Sequence, residues 1–170
     1  MPKKILLPAA VVLVVLVFWM WSGTGAVKAL PKFSSQNLDG QGVTSSIFVG
    51  KKLTMVNVWA TWCPPCVQEM PGLGNLARSM PGKTQLVGLL MDSGSPGAIQ
   101  KAQSILATSK ADFSQICISE EMVPFLKTVN VIPTTFFVDS RGRIIAAPIV
   151  GARSEQQYRA EIEKTLKKLR

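Results

Sequence analysis

Histidine is absent from this chain of 170 residues, and cysteine occurs only three times. The lack of histidine excludes a Ser-His-Asp triad, a Cys-His nucleophile pair and every metal site that needs an imidazole ligand. Three cysteines cannot form a four-thiolate zinc site, and they cannot all pair within one chain. The chemistry of this protein must therefore use other groups.

Acidic residues are also scarce, since 10 Asp and Glu against 19 Lys and Arg give a formal net charge of +9. Such a surplus would suit a nucleic acid or an anionic membrane, but it requires neither. No basic run is interleaved with aromatic residues, and the densest basic stretch, 164–170, ends a predicted helix, where cations complement the helix dipole. We therefore expect no nucleic-acid partner.

Charge is missing altogether from residues 5–21, ILLPAAVVLVVLVFWMW. This segment is predicted to be either a membrane-spanning helix or the apolar part of a secretory signal peptide. As a helix it would extend roughly 25 Å, at the short end of the range for a bilayer core. Trp19 and Trp21 lie where interfacial aromatic residues are expected. Cleavage after Ala26 or Ala29 is the alternative to a retained anchor.

Lys3 and Lys4 precede this segment and predict its orientation. Positive charge is retained on the cytoplasmic side, so both interpretations place the chain from residue 22 onward in the periplasm or an equivalent compartment, or secreted if the segment is cleaved. Such a compartment is oxidising, so pairs of cysteines there can form disulfides and take part in redox reactions. The predicted organisation is a cytoplasmic segment at 1–4, an anchor or signal at 5–21, a linker at 22–30 and one domain at 31–170.

Strand and helix patterns alternate after the linker. The predicted strands are a short pair around the turn at 37–42, then 53–59, 84–91, 113–118, 134–138 and 143–150. The predicted helices are one from Pro64 that Pro71 and Gly72 should kink, 95–108 with Ser95 as its cap and Pro96 at its first position, 123–129, and 154–169 capped by Ser154. Strands separated by helices, with a final antiparallel hairpin, indicate an α/β domain.

Cys63 and Cys66 lie at the junction of the apolar strand 53–59 and the following helix. The free N–H groups and the dipole at a helix N-terminus favour a thiolate at Cys63. That thiolate can attack a disulfide in another protein, and Cys66, one turn later, can resolve the mixed disulfide. The rigid spacer, Pro64 and Pro65, fixes the separation of the two cysteines.

Structural roles explain this pair less well. A disulfide across two residues closes too small a loop to restrain the unfolded chain much. Haem attachment needs a histidine at position 67, which is Val, and zinc would need two further ligands that neither Cys nor His can supply. We predict a redox-active pair that uses no metal and no cofactor beyond the Cys63–Cys66 disulfide itself.

The chain carries the run VNVWATWCPPC from Val56 to Cys66, then Glu69-Met-Pro71, and VIPTTFFVD from Val131 to Asp139. In these motifs, and in Pro31–Phe33, Leu38–Gly40 and Gly50–Leu53, it resembles the thioredoxin superfamily. Within that superfamily it resembles the membrane-anchored, extracytoplasmic thiol-disulfide oxidoreductases of the TlpA/ResA type. The resemblance covers most of the domain. It implies a thioredoxin-like α/β fold, with a central mixed β-sheet flanked by helices, preceded by one N-terminal transmembrane or signal helix.

The resemblance also assigns roles around the cysteine pair. Cys63 matches the attacking cysteine and Cys66 the resolving one. Pro133 matches the cis-proline that faces the pair in this family, and the Ile132 amide would bond an incoming substrate chain as an added strand does. Trp62 matches the aromatic residue that shields the thiolate, and it is assigned to substrate binding together with Pro64.

Glu69 matches a glutamate of the family that assists proton transfer. A partly buried carboxylate with a raised pKa could take the Cys66 proton, whereas the alternative is a solvated helix residue. Asn57 stands where cytosolic thioredoxins have a buried aspartate, and an amide cannot titrate. We therefore expect Glu69 to take that role and general-purpose thioredoxin activity to be inefficient.

Trp59 and Cys117 are predicted to have structural roles. Trp59, in the strand before the pair, is expected to pack in the core. Cys117 lies outside any motif, and cysteine is commonly a buried, inert residue. A regulatory or intermolecular thiol is the alternative for Cys117.

The resemblance implies an enzyme that reduces disulfides of exported proteins at the outer face of the cytoplasmic membrane. Its electrons would come from a membrane thiol-disulfide carrier, and apocytochrome c awaiting haem is a frequent substrate in the family. One alternative is an oxidase or isomerase, because the direction of exchange depends on a reduction potential that no sequence supplies. The other is a membrane-anchored binding module that uses the fold without turnover.

Overall fold

The structure is a computed structural model that describes residues 28–169, so the predicted anchor or signal segment lies outside the described residues. The strands are β1 (Ser34–Gln36), β2 (Gly42–Thr44), β3 (Leu53–Trp59), β4 (Thr84–Leu90), β5 (Gln115–Cys117), β6 (Thr134–Val138) and β7 (Ile149–Val150). The α-helices are α1 (Pro64–Arg78), α2 (Ala98–Thr108), α3 (Val123–Leu126) and α4 (Glu155–Lys168), with 3-10 turns at Ser45–Phe48 and Glu120–Met122.

Five strands form one mixed sheet in the order β5-β4-β3-β6-β7, and β1 pairs with β2 in a separate antiparallel ribbon. The central strand β3 runs parallel to β4 and antiparallel to β6. Along the parallel ladder Leu53 pairs with Thr84 and Trp59 with Leu90, so β3 and β4 end side by side at one edge of the sheet. This architecture confirms the predicted α/β class with a central mixed sheet.

Strand β3 is continuously apolar because both of its faces are covered, and all seven of its residues are buried. Met55 and Trp59 belong to a core that includes side chains of α1 and α4. Val56 and Val58 belong to a second core on the other face, which includes side chains of α3 and β6. The strand that leads into the cysteine pair is therefore fixed on both sides.

Helix α2 begins at Ala98, two residues after the predicted first helical position at Pro96. Gly97 has a left-handed backbone (φ 74°) immediately before the helix, and the Ala98 amide donates to the Ser95 carbonyl at 3.1 Å. Residues 95–97 thus form a turn that only glycine accommodates without strain. The predicted Ser95 cap and the first helical position of Pro96 are therefore wrong.

The predicted strand at 143–150 is also wrong in extent. Ile149–Val150 forms β7, and Ile144 makes only an isolated bridge to Val138. The Ile145 amide still donates to the Phe137 carbonyl at 2.9 Å, and Pro148, immediately before β7, has no amide hydrogen to donate to a continuous ladder. The predicted strand at 113–118 and helix at 123–129 occur with shorter bounds, as β5 and α3.

Both long helices that frame the first core occur at their predicted positions. Helix α1 continues through Pro71 as one helix to Arg78. Helix α4 starts with a capping box, in which the Ser154 hydroxyl accepts from the Gln157 amide at 3.3 Å and the Gln157 side chain accepts from the Ser154 amide at 2.9 Å. The predicted Ser154 cap is confirmed.

Residues 28–30 contact the domain, although the sequence predicts that they belong to the linker. The Ile144 amide donates to the Lys28 carbonyl at 2.8 Å, and the Leu30 amide donates to the Gly142 carbonyl at 2.9 Å. Leu30 is buried in the second core. Helices formed by residues 28–169 are all too short or too polar to cross a membrane.

Candidate active site

The turn between β3 and α1 carries the cysteine pair. Thr61 ties this turn to the neighbouring strand, because its amide and its hydroxyl both donate to the Asp92 carboxylate, at 3.2 Å and 2.6 Å. The Cys63 amide donates to the Ala60 carbonyl at 3.2 Å. Asp92 lies two residues after the end of β4, so the parallel pair of strands positions Cys63 at the edge of the sheet.

Cys63 and Cys66 form a disulfide, with their Cα atoms 5.3 Å apart. Cys63 is the N-cap residue of α1, and the Cys66 amide donates to its Sγ at 3.3 Å. Both residues are buried, with exposed fractions of 3% and 0%. When the disulfide is opened, the amide and the helix N-terminus favour a thiolate on Cys63, the more exposed of the two.

The loop before β6 lies against the cysteine pair. The peptide bond between Ile132 and Pro133 is cis, as the resemblance implied. The Ile132 carbonyl oxygen lies 3.7 Å from the Cys63 Sγ, and the Gly151 amide donates to the Pro133 carbonyl at 2.8 Å. The fold therefore brings Cys63 close to Ile132 and Pro133, which lie about 70 residues later in the sequence.

The surface around the cysteine pair is largely apolar. Trp62 is 63% exposed and Val131 is 52% exposed, Pro64 is exposed, and Ile132 is half-buried. Trp62 and Pro64 flank Cys63 in the sequence, and Val131 precedes Ile132, whose carbonyl oxygen lies 3.7 Å from the Cys63 Sγ. Exposed apolar side chains are therefore found next to the almost covered Cys63.

Glu69 lies one turn after Cys66 on α1 and is only 7% exposed. Its Oε1 accepts a hydrogen bond from the Asn57 amide group at 2.8 Å. Its Oε2 accepts one from the Tyr158 hydroxyl at 3.0 Å and one from the Arg153 backbone amide at 3.1 Å. Glu69 is therefore a buried, fully bonded carboxylate rather than a solvated helix residue.

Burial changes the acidity of both titratable groups in this cluster. Burial raises the pKa of Glu69, and the hydrogen bonds from Asn57, Arg153 and Tyr158 offset that effect only in part. Burial, and next the charge of Glu69, raise the pKa of Tyr158, so its hydroxyl remains a proton donor at neutral pH. A buried carboxyl with a raised pKa, one helical turn after Cys66, is suited to exchanging protons.

Asn57 completes the cluster from β3. It is fully buried, and its Nδ2 also donates to the Thr135 Oγ1 at 3.2 Å, while its Oδ1 has no hydrogen-bond partner among residues 28–169. Sequence reasoning missed Thr135 and Tyr158, because they reach Asn57 and Glu69 across 78 and 89 residues of chain. The available signal was that Tyr158 is the sole tyrosine, one turn before Ile162 on the apolar side of an amphipathic helix.

Trp59 and Cys117 lie apart from this cluster. Trp59 is fully buried, and its Nε1 donates to the Gln115 Oε1 at 3.0 Å, so it is a core residue as expected. Cys117 is half-buried, its Sγ lies 3.8 Å from the Asn37 carbonyl oxygen, and burial raises the pKa of its thiol. No three His, Cys, Asp or Glu side chains within residues 28–169 are grouped so that they could hold a metal ion.

Comparison with known proteins gives a consistent result. Residues 26–166 match the family model described as Redoxin. The chain is 29% identical over 133 residues to thioredoxin-like protein YneN of Bacillus subtilis (strain 168), covering 78% of this chain and 76% of that protein. It is 25% identical over 152 residues to the thiol-disulfide oxidoreductase ResA of Bacillus thuringiensis (strain Al Hakam), covering 81% and 76%.

Solved structures agree with the fold. A thiol:disulfide interchange protein of the thioredoxin family from Chlorobium tepidum TLS superposes with a TM-score of 0.68 at 24% identity, covering 82% of this chain and 96% of that chain. A putative thiol:disulfide interchange protein DsbE from Chlorobium tepidum gives a TM-score of 0.66 at 26% identity, with the same coverage. The described chain therefore has the thioredoxin-like fold that the resemblance implied.

Proposed function

This chain belongs to the Redoxin family, and from that membership we propose that it is a thiol-disulfide oxidoreductase that reduces disulfides in exported proteins. The observation that carries this proposal is the Cys63–Cys66 disulfide at the start of α1, beside the cis peptide bond of Pro133. Relatives named thiol-disulfide oxidoreductase ResA and thiol:disulfide interchange protein DsbE support it.

The reaction starts from the reduced pair. The Cys63 thiolate attacks one sulfur of the substrate disulfide, so that a mixed disulfide forms and the other substrate sulfur leaves as a thiolate. Cys66 then loses its proton and attacks the Cys63 sulfur, which releases the second substrate thiol. Two electrons pass from the enzyme dithiol to the substrate, and the product is the Cys63–Cys66 disulfide.

Glu69 is the group that takes the Cys66 proton. It lies one turn further along α1, and its burial favours proton uptake by the carboxylate at a higher pH than in water. When a reductant reopens the disulfide, the same carboxyl returns the proton to Cys66. Asn57 cannot perform this transfer, because its amide does not titrate.

The substrate chain lies along the loop of Ile132 and Pro133. The backbone amide of Ile132 bonds the extended substrate as an added strand would, while Trp62 and Pro64 cover the apolar residues that flank the substrate cysteine. The exposure of Trp62 beside an almost covered Cys63 supports this arrangement. It favours disulfides in extended or unfolded segments over those buried in folded domains.

The enzyme works at the outer face of the cytoplasmic membrane. The uncharged segment 5–21 behind Lys3 and Lys4 supports this location, as an anchor or as an export signal. A membrane thiol-disulfide carrier supplies the electrons. Apocytochrome c, whose cysteines must be reduced before haem attachment, is the specific substrate that we propose.

A redox titration of the cysteine pair in glutathione or dithiothreitol buffers tests the direction of exchange. We expect a strongly reducing midpoint, well below that of exported oxidants, whose potentials reach about −120 mV. The full-length Cys63→Ser variant should lose all disulfide reduction while it keeps its fold. The Cys117→Ser variant is the matched control, and it should retain the wild-type rate.

Trapping experiments identify the substrate. The Cys66→Ala variant should accumulate mixed disulfides with its physiological partners, whereas Cys63→Ala should trap none. An oxidising midpoint would reject the reductase in favour of an oxidase. Disulfide reduction that survived in Cys63→Ser would refute the catalytic assignment itself.

A further inference from the structure

Two buried hydroxyl groups in the cluster have no part in the exchange reaction described above. Tyr158 on α4 is fully buried, and its hydroxyl lies 3.0 Å from the Glu69 Oε2 and 3.2 Å from the Thr135 Oγ1. Thr135 on β6 is also fully buried. Burying two hydroxyl groups beside a carboxylate is unfavourable unless each makes its hydrogen bonds.

The hydrogen bonds close into a ring. Asn57 Nδ2 lies 2.8 Å from Glu69 Oε1 and 3.2 Å from Thr135 Oγ1, and Tyr158 then links Thr135 back to Glu69 Oε2. Four elements contribute one member each, namely α1, β3, β6 and α4. The ring holds both oxygens of the Glu69 carboxylate from opposite sides.

When Glu69 is ionised, donors and acceptors can be assigned consistently to every hydrogen bond of the ring. The Asn57 amide donates its two hydrogens to Glu69 and to Thr135. Thr135, whose oxygen has already accepted from Asn57, donates its hydrogen to the Tyr158 oxygen, and Tyr158 donates its own to Glu69. Every hydrogen in the ring therefore points along a path that ends on the carboxylate.

We propose that Tyr158 and Thr135 are positioning residues of the active site, in which the Thr135 hydroxyl orients the Tyr158 hydroxyl so that Tyr158 holds the Glu69 carboxylate ready to accept the Cys66 proton. This inference rests on the proposed function of Glu69. It makes the C-terminal helix α4 a part of the site, although α4 carries no residue that contacts the substrate in the proposed reaction.

The charged and titratable groups that face Glu69 come from two other parts of the fold. Tyr158 faces it from α4, and Arg153, in the segment before α4, contributes both a backbone amide and a cationic side chain. The helix that carries Glu69, α1, also carries the Cys63–Cys66 pair at its start. Removal of the Tyr158 hydroxyl takes away a donor to the carboxylate, so the neutral form of Glu69 should persist to higher pH.

The first test measures the resolving step against pH. Ellman's reagent releases one thiolate when Cys63 attacks and a second when Cys66 resolves, and a Cys117→Ser background removes the signal of the third cysteine. We expect Tyr158→Phe to shift the acid limb of the pH–rate profile of the second phase to higher pH. Below the midpoint of that limb, the second phase should be about three- to tenfold slower than in the wild type. The rate should recover at high pH.

Thr135 provides the second pair of variants. Thr135→Val should move the same limb in the same direction by a smaller amount, and Thr135→Ser, which keeps the hydroxyl, should restore the wild-type profile. This pair keeps the proposal testable if Tyr158→Phe fails to fold. If both hydroxyl groups had only a structural role, the variants would lose stability but their limbs would coincide with that of the wild type, which would overturn the proposal.

A spectroscopic test uses Tyr158 as the sole tyrosine of the chain. Tyrosinate absorbance follows its ionisation directly, and Glu69→Gln should lower the pH at which Tyr158 ionises, because the neighbouring negative charge is gone. An ionisation of Tyr158 that Glu69→Gln leaves unchanged while the protein is still folded would contradict the contact. If Glu69→Gln itself leaves the limb of the resolving step in place, the proposed role of Glu69 fails. If Glu69→Gln removes that limb and Tyr158→Phe leaves it unmoved, only this inference fails.

Discussion

Thr61 holds the reactive turn in place through two hydrogen bonds to one carboxylate, that of Asp92. Thr61→Val keeps the shape of the side chain but removes the hydroxyl donor, and hydrogen bonds to charged groups contribute about 1.5–3 kcal/mol. We expect Thr61→Val to lower the free energy of unfolding by an amount in that range in urea titrations of the oxidised protein. Thr61→Ser should lie close to the wild type. Equal losses in both variants would show that the hydroxyl is not what stabilises the turn.

Asn57 places an amide group, rather than a second carboxyl group, next to the Glu69 carboxylate. Asn57→Asp would set a second carboxyl at 2.8 Å from Glu69 Oε1, and two carboxylates so close must share a proton in the folded state. Because the unfolded chain releases that proton at lower pH, the free energy of unfolding should fall as pH rises, by at most about 1.4 kcal/mol per pH unit. Urea unfolding at several pH values measures this slope. A curve parallel to that of the wild type would contradict the prediction.

What could be predicted at the residue scale depended on whether the residue lies in a local motif. Cys63 and Cys66 were identifiable from their spacing beside a helix start, and Pro133 and Glu69 from motifs that the resemblance matched. Tyr158 belongs to no motif, because its contact with Glu69 depends on how α4 packs across the sheet. Its burial, but not its partner, was accessible from the periodicity of α4.

Helix α1 contains two glycines whose surroundings differ sharply. A Cβ atom at Gly74 would lie 2.6 Å from the Lys110 carbonyl oxygen and 2.8 Å from the Ala111 Cα, so the helix and the loop before β5 pack without room for a side chain. At Gly72 the nearest atoms are 3.7 Å away, which is an ordinary contact. The two positions therefore provide a matched pair of substitutions.

We expect Gly74→Ala to destabilise the protein by about 1–3 kcal/mol, because backbone atoms cannot move aside cheaply. Gly72→Ala should be neutral or should stabilise it by up to about 1 kcal/mol, since alanine favours a helix interior. Thermal and urea unfolding of the two variants under one set of conditions measure the difference. The close approach would be disproved if Gly74→Ala matched Gly72→Ala.

At the element scale, the predictions were right where one periodic pattern dominated and wrong where a single residue interrupted it. Strand β3 and helix α4 occur at their predicted positions, the first because its apolar run is buried on both faces and the second because Ser154 caps it. The errors at Ser95 and before Pro148 have a common cause. In both places a backbone requirement of one residue, a left-handed glycine or a missing amide hydrogen, outweighed the pattern around it.

The whole molecule assembles its site from segments that are far apart in the chain. The central strand separates two cores, and Asn57, on that strand, meets the buried carboxylate of Glu69 from α1. Tyr158 belongs to the same core as Cys66, so the packing of the C-terminal helix is inseparable from the environment of the redox pair. In a site built in this way, the titration of Glu69 is linked to the stability of the entire domain.

That link predicts how the stability of the oxidised protein depends on pH. Burial raises the pKa of Glu69 in the folded state above its ordinary value of 4.5, so the folded state binds the proton more tightly than the unfolded chain. The resulting stabilisation is complete below pH 4.5 and is lost as pH rises through the folded-state pKa. Asp139 acts with the opposite sign and at lower pH, because the hydrogen bonds from Arg143 and Arg141 outweigh burial and lower its pKa from 3.8.

Glu69→Gln isolates this contribution, since glutamine has a similar shape and does not titrate. The free energy of unfolding of the wild type should decline as pH rises above 4.5, whereas that of Glu69→Gln should stay flatter over the same interval, whatever constant offset the substitution introduces. Urea unfolding at a series of pH values compares the two slopes. Parallel curves would mean that the hydrogen bonds from Asn57, Tyr158 and Arg153 compensate the burial of the carboxylate completely. Glu69 would then be ionised at the same pH in both states and could not gain, through burial, the affinity for the Cys66 proton on which the proposed mechanism depends.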